Sequence, residues 1–551
     1  MKKINFTLVL VMLLGSAISG QTSPKEKGLE SITMDAIRGQ LEFLSSDWME
    51  GRATGDKGFF MAADYVASMF RVFGVAPAGD AGFRGRSGMN FRSYGGRGGQ
   101  DRSAPQRSYF QDFSLIETLP GGTASMTVKK GNNEYVFNEN VDFSLGRISL
   151  STKFDAPVVF VGYGMVDKAN GINDFAGVDV KGKVILRLSG FPGSDDVNSP
   201  MYKKLVGDNQ RAAMTMTRGK NDALAGLGVA GVIDITTGTD VGRRWGVYKF
   251  DNNLAPAESS SRTNWTRMSL EGNEIPSTPV TITVTERVTN LLLKDSGIDV
   301  EKYKRDAAAG PVKFKPVTLP GVNLGIDATI NTQRILTRNV LAMIEGENPD
   351  EIVAIGAHMD HMGIDNGKIW NGADDNASGT VAVMTIAKAF IESGVKPKRT
   401  IIFCAWTGEE KGLLGSEYYN LYPSVGKISD YKLYINYDMI AMDAANDSLR
   451  NKKSITCTTG FPGFESVTKQ NRDKYNINLD LSFRTNESPT GGSDYASFSH
   501  SNVPVIVWES TLHPDYHTPA DEVSLVNWEK VLNITKLGYL QLWDLANGEI
   551  K

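Results

Sequence analysis

The sequence predicts an α/β fold, a sheet covered by helices on both faces, joined to a separate β-rich unit. Past Pro320, strand-like runs ("VLAMI", "EIVAIGAH", "RTIIFCAW", "KLYINYDMI", "SITCTT", "VPVIVW") alternate with helical ones, "GTVAVMTIAKAFIES" and a closing helix from Val526. Such alternation builds a sheet with both faces buried. From about 114 to 320 the pattern changes: "TASMTVKK", "APVVFVGYG", "KVILRLSG", "GVAGVIDI" and "TPVTITV" are short strands set between turn residues. Length agrees, since 551 residues suggest roughly two to four units, or one large domain with an insertion.

Taken in order, residues 1 to 20, "MKKINFTLVLVMLLGSAISG", place two lysines before an apolar run and small residues at Ala17, Ser19 and Gly20. This reads as a secretory signal peptide. The run falls short of the about 20 apolar residues of a membrane span, and no cysteine follows it to mark a lipoprotein. The expectation is an exported protein, periplasmic or secreted, with no stable membrane insertion once the peptide is cleaved. Residues 33 to 47 and 59 to 73 space apolar side chains as amphipathic helices do. Between them and the β-rich unit lies a Gly/Arg/Ser-rich stretch, residues 80 to 107, that reads as a solvated loop by composition. Hydrophobic residues at 41%, charged residues at 22% and a formal charge of −4 describe a soluble globular chain and ask for no nucleic-acid partner. Cys404 and Cys457 both lie in strand-like runs and read as buried thiols, with one disulfide as the alternative.

Ligands of open α/β sheets gather beyond the carboxyl ends of the strands. Four polar clusters fall there: His358 and Asp360 end "VAIGAHMDHMG", Glu409 and Glu410 follow "IIFCAWTGEE", Asp438 closes "YINYD", and Asp374 and Asp375 sit in "NGADDNASGT" before a helix. All 5 histidines, His358, His361, His500, His513 and His517, fall in one window, and His517 stands in the polar loop "DYHTPADE". Imidazole and carboxylate at about 2.0–2.2 Å are what zinc takes when thiolates are absent. Two histidines with more than three carboxylates suffice for two metals sharing one bridging carboxylate, an arrangement suited to hydrolysis. Asp360, two residues from His358 on a strand, shares its face and can accept the second imidazole N–H, fixing the tautomer. Glu409 and Glu410 point to opposite sides at a strand end and can be split between two jobs.

These runs, "GAHMDHMG", "GADDNASGT", "GEEKGLLGS", "YDMI" and "YHTPADE", stand in the order found in co-catalytic zinc peptidases, the family of bacterial leucyl aminopeptidases, glutamate carboxypeptidase and the transferrin receptor, and the chain resembles that family. The opening "LEFLSSDWMEGRATGDKGFFMAADYVASMF" and "SYFQDF" resemble the start of its peptidase domain, and "APVVFVGYGM" with "DFAGVDVKGKVILRLSG" resembles the protease-associated domain inserted in larger members. The resemblance implies the zinc exopeptidase fold, with a mixed, mostly parallel sheet. It divides the chain into residues 21–113, the first part of the peptidase domain; 114–320, the inserted apical domain; and 321–551, the main part. It also implies two zinc ions per chain: His358 and Asp438 on one, Glu410 and His517 on the other, and Asp375 bridging, followed by a cis peptide to Asn376. Glu409 would be the general base and Asp374 would back the bridge. In "TGGSDYASF" Tyr495 replaces a histidine often found beside Asp494 in the family, so Asp494 is expected behind the site and Tyr495 at the pocket wall.

The activity expected is removal of N-terminal residues from peptide substrates. A carboxypeptidase for acidic peptides or a glutaminyl cyclase on the same fold is the alternative. A dipeptidase for acidic substrates wants arginines near the site, and residues 360 to 450 offer only Arg399 and Arg450, although Arg243 or Arg244 of the inserted unit could contribute. A receptor-like scaffold without catalysis is disfavoured by the intact ligand positions. The inserted unit could restrict access or pair subunits into a dimer.

Overall fold

The computed structural model describes residues 22–81, 107–139, 141–145, 151–207, 216, 219–221, 223–224, 226–235, 267–272, 279–312, 314–444, 447–509 and 513–548. The expected signal peptide, most of the Gly/Arg/Ser-rich stretch, and Arg243 and Arg244 lie outside the described residues. Two compact units are formed, one from Met1–Asp112, Arg338–Ile364 and Lys368–Lys551, the other from Phe113–Thr337 and Asp365–Gly367.

In the first unit four parallel strands lie side by side in the order Arg399–Trp406, Asn348–His358, Tyr431–Asp438 and Val505–Glu509. The end of the long strand Val317–Ile344 pairs antiparallel with Arg399–Trp406, and Lys452–Thr458 pairs antiparallel on the other side, carrying Asp480–Asn486 parallel beyond it. The sheet is thus mixed and mostly parallel. Successive side chains of a strand face opposite ways, and the sequence exploits both faces. Val353, Ile355, Ala357, Ile401, Phe403 and Ala405 enter one core with the helices Met34–Leu44, Lys57–Phe73, Gly379–Ser393 and Trp528–Asn547. Ile352, Ala354, Ile402, Cys404 and Trp406 enter the other core with Tyr419, Tyr495 and Phe498 from the helices Leu414–Leu421 and Tyr495–His500. Each valine, isoleucine or phenylalanine among them contributes about 1.5–3 kcal/mol on full burial, and burial on both faces explains why the central strands read as unbroken apolar runs. Cys404 and Cys457 are free and buried, in the cores on opposite faces.

Local chemistry sets the helix ends. The Thr33 hydroxyl accepts the Ala36 N–H at 3.3 Å, and Asn527 accepts the Lys530 N–H at 3.2 Å. That second cap starts the closing helix at Trp528 rather than at Val526. The helix expected over 33 to 47 stops at Leu44: the chain becomes extended at Ser46 and then enters a separate turn, Asp47–Arg52, in which Glu50, Gly51 and Arg52 have positive φ. Among the described residues no helix is long and apolar enough to cross a membrane.

The second unit contains its own run of four parallel strands, Thr152–Phe160, Val184–Leu188, Gly231–Ile235 and Thr281–Val284, with antiparallel partners at both edges, Phe143–Leu145 and residues 317 to 328 of the long strand. The helices Glu286–Leu293 and Val300–Ala309 contribute Val288, Leu292 and Ala307 to its larger core. The strand Phe110–Lys130 forms a hairpin with Asn133–Asn138 and also pairs with Arg267–Leu270.

Candidate metal centre

Register aligns the strand ends. His358 is paired with Trp406, and Asp438 with Glu509, so the carboxyl ends of the parallel strands form one edge. His358 and Asp438 are the last residues of their strands, and Glu409 and Glu410 follow just past Trp406. Residues 373 to 378 wind as a single widened turn leading into the helix Gly379–Ser393, with a cis peptide between Asp375 and Asn376. Three groups hold that turn. The Asp521 carboxylate accepts the N–H groups of Asp374 and Asp375 at 2.8 and 3.0 Å. The Asn376 amide donates to the Tyr437 carbonyl at 2.8 Å. The Ser378 hydroxyl donates to the Asp374 carbonyl at 2.8 Å.

Two sets of donors converge on Asp375. On one side, His358 Nε2 lies 3.3 Å from Asp375 Oδ1 and 3.6 Å from Asp438 Oδ1. On the other, His517 Nε2 lies 3.0 Å from Asp375 Oδ2 and 3.2 Å from Glu410 Oε2, while His361 Nδ1 lies 2.8 Å from Glu410 Oε1 and 3.8 Å from Asp375 Oδ2. Ligands about 2.1 Å from a tetrahedral zinc stand about 3.4 Å from one another, and these separations bracket that edge. His358, Asp375 and Asp438 form one group able to hold a metal ion, and His361, Asp375 and Glu410 a second, the atoms of each lying within 4.8 Å of one another. His358 Nε2, Asp438 Oδ1, Glu410 Oε1 and both His361 ring nitrogens are buried without a hydrogen-bond partner among the described residues. Buried polar atoms are normally satisfied, so this convergence fits a cation.

Proton affinities follow the same pattern. Burial works against a charged His358, but Glu409, Asp438 and Asp375 outweigh it and lift the imidazole well above its usual range. Burial would raise Asp375, yet His358, His361 and His517 hold it well below the carboxylate norm. Burial and Asp375 act to raise Glu410, but His361 and His517 bring it down to about 2. Glu409 goes the other way: burial, with Glu410, Asp438 and Asp494 adding negative charge, raises it well above the norm against the pull of His358. Its Oε2 stands 3.8 Å from His358 Nε2.

Asp360 does not hold His358 in the expected manner. Its carboxylate is 3.9 Å from His358 Nδ1, whereas its main-chain carbonyl is at 3.0 Å. The strand ends two residues earlier, at His358, and the Asp360 side chain turns away to accept the Thr54 hydroxyl at 2.8 Å and the Glu409 N–H at 3.3 Å. A carbonyl can only accept, so Nδ1 carries a proton there, and Nε2 is the ring atom turned toward Asp375 and Asp438. Asp374 accepts the Ala441 N–H at 2.5 Å and faces His513 Nε2 at 3.3 Å. Asp494 is buried beside the centre and is pushed up to about 7 by burial; Tyr495 is also buried.

Several supporting residues carry no mark in the sequence pattern. The Arg52 guanidinium is fully buried and donates to four carbonyls, those of Leu44, Met359, Asn371 and Gly372, at 2.6–2.9 Å. Burial pushes it down to about 10, against the pull of Asp521, Asp375, Asp360 and Glu410. Arg52, Met439 and His517 have φ of 53°, 53° and 52°, backbone strain of the kind that clusters at functional sites. The His517 ring stacks on Tyr516 at 3.8 Å between centroids. His361 and His513 were visible only as members of the histidine cluster, and His500 lies exposed elsewhere.

Residues 339–539 match the model of peptidase family M28. Over that stretch the chain is similar to peptidase family M28. A "Probable leucine aminopeptidase 2" of Aspergillus fumigatus is 34% identical over 188 residues, 33% of this chain and 34% of that protein. Aminopeptidase Y of Saccharomyces cerevisiae is 25% identical over 244 residues, 41% of this chain and 43% of that protein. The chain thus spans about a third of the length of the first of these relatives and under half of the second. Among solved structures, an aminopeptidase from Aneurinibacillus sp. strain AM-1 aligns over 96% of this chain and 97% of its own at a TM-score of 0.50 and 17% identity, a likeness of fold. The M28 match takes in every residue of both donor sets, from His358 to His517.

Proposed function

We propose that this protein is an exported, zinc-dependent aminopeptidase that removes N-terminal residues from peptides. The observation that carries it is the pair of donor sets sharing Asp375 with a separate carboxylate, Glu409, beside them. In this reading His358, Asp375 and Asp438 would hold one zinc and Asp375, Glu410 and His517 the other, and zinc bound there would supply Lewis acidity to the scissile carbonyl and the attacking water. Glu409 accepts a proton from that water and delivers it to the departing amine, a task helped by its raised proton affinity. Thr54 and the Glu409 N–H fix Asp360, which ties the base to the His358 strand. Asp521 and Arg52 keep the bridging turn in place.

Charge at the edge favours the amino end of a substrate. Glu509 pairs with Asp438 in register and adds a carboxylate suited to an ammonium group. Arg399 is held by Glu351 at 2.7 Å and Arg450 by Asp443 at 2.7 Å, so neither is committed to a substrate carboxylate. The second unit corresponds, in this reading, to the inserted protease-associated domain, and the N-terminal "MKKINFTLVLVMLLGSAISG" to a cleaved export signal.

The test is a panel of aminoacyl anilides, N-blocked peptides and C-blocked peptides, assayed before and after chelation and after zinc is returned. Cleavage of free-amine substrates, lost on chelation and restored by zinc, is expected. Activity indifferent to chelation, or confined to free-carboxyl substrates, would contradict the proposal.

A further inference from the structure

We propose that His361 is itself a ligand of the second ion, beside Asp375, Glu410 and His517, so that this ion is held by four side chains while the ion between His358, Asp375 and Asp438 keeps an open position. The inference rests on the two-metal reading above. His361 Nδ1 is 2.8 Å from Glu410 Oε1, yet neither His361 ring nitrogen nor that oxygen has a hydrogen-bond partner among the described residues. A nitrogen and an oxygen this close without an aligned N–H approach side by side, as two ligands of one cation do. The ring is 1% exposed, and leaving a buried polar group unsatisfied costs about 1–3 kcal/mol. A cation between the two atoms removes that cost.

The chain also builds a seat for this ring. The His361 N–H donates to the Arg52 carbonyl at 3.1 Å, and the residue bridges to Ala53. Its ring lies against Gly372, where a Cβ would stand 2.5 Å from the ring Cγ and Cδ2. Zinc with four protein ligands is the closed arrangement of structural sites, whereas catalytic zinc keeps a position free. Zinc in the second set would then be the more firmly held of the two, and the set of His358, Asp375 and Asp438 would be the one with a free position.

X-ray absorption on the zinc-loaded full chain tests this directly, with three imidazoles expected for two ions. Two imidazoles for two ions overturn the assignment of His361 and leave the dinuclear reading intact, whereas fewer than two zinc ions per chain overturn the dinuclear reading itself. In H361A, checked for folding by circular dichroism, competition with a chromophoric chelator should show the tighter zinc weakened by more than about 100-fold and the weaker one unchanged. Loss of a partner that only orients a ligand costs about 10–100-fold. A smaller loss, or an imidazole count that H361A leaves unaltered, overturns the proposal.

Discussion

Thr54→Val is the cleanest perturbation of the site's support. The two side chains have nearly the same shape, so no cavity opens, and only the hydroxyl is lost. Asp360 is fully buried and has two donors, the Thr54 hydroxyl at 2.8 Å and the longer Glu409 N–H at 3.3 Å. Removing the shorter one strands much of a buried carboxylate. A hydrogen bond to a charged group is worth about 1.5–3 kcal/mol, and at about 2 °C per kcal/mol for a large domain the melting temperature should fall by about 3–6 °C. If the whole loss is expressed in the transition state, kcat/KM falls by about 10- to 100-fold, since about 1.4 kcal/mol is tenfold. Scanning calorimetry with zinc present and anilide hydrolysis read the two effects. Thr54→Ser, which keeps the hydroxyl, should recover most of both. A valine variant that melts and turns over like the parent, or a serine variant as impaired as valine, refutes the account of Asp360.

Glu409→Gln should abolish turnover while retaining two zinc ions, whereas Glu410→Ala should lose metal; elemental analysis beside the activity assay separates them, and metal loss in the glutamine variant would sink the division. Gly372→Ala should cost the centre its metal and lower stability, because a Cβ there lies 2.2 Å from the Asp375 carbonyl oxygen at a φ of +55°; zinc content and melting temperature check it. Asp174 in the second unit is buried and pushed up to about 6, mainly by burial. A raised acid contributes stability that is full below its unfolded value near 4 and is lost as pH rises through about 6, a change of about 3 kcal/mol at most. Asp174→Asn keeps an acceptor for the Met165 N–H and should remove this slope, so urea unfolding of the two proteins should diverge between pH 4 and 7.

The strand ends were legible because apolar runs locate central strands and polar residues at their carboxyl ends have few structural uses. His358, Asp438 and the helix Gly379–Ser393 stand where the pattern puts them. Arg52 and Thr54 were not, because the partner of Thr54 is 306 residues away and nothing local marks a buried arginine. The strand Asp480–Asn486 escaped notice because it is mostly exposed and its apolar alternation is confined to Leu481 and Phe483, which pack against the core. The boundary at Pro320 also shifts: Val317–Ile344 is one long strand, and the chain passes to the first unit at Arg338, within it. Turn residues suggest breaks, but a Pro-Gly pair can equally be an irregularity in a strand, as the register shift between Thr318 and Asn323 shows.

Glu409 and Glu410 make the strongest case that the site is chemical rather than merely acidic. They are neighbours in sequence and share a buried setting, so composition alone assigns them the same proton affinity. The structure separates them. Glu410 turns toward His361 and His517 and falls to about 2, while Glu409 meets burial together with Glu410, Asp438 and Asp494 and rises. Titratable pairs driven apart in this way are the pattern of groups with different tasks. A permanently charged carboxylate suits a metal, and one that readily takes a proton suits the water beside it. A scaffold that only needed negative charge would gain nothing from the difference, whereas the proposed division between metal ligand and proton acceptor uses it.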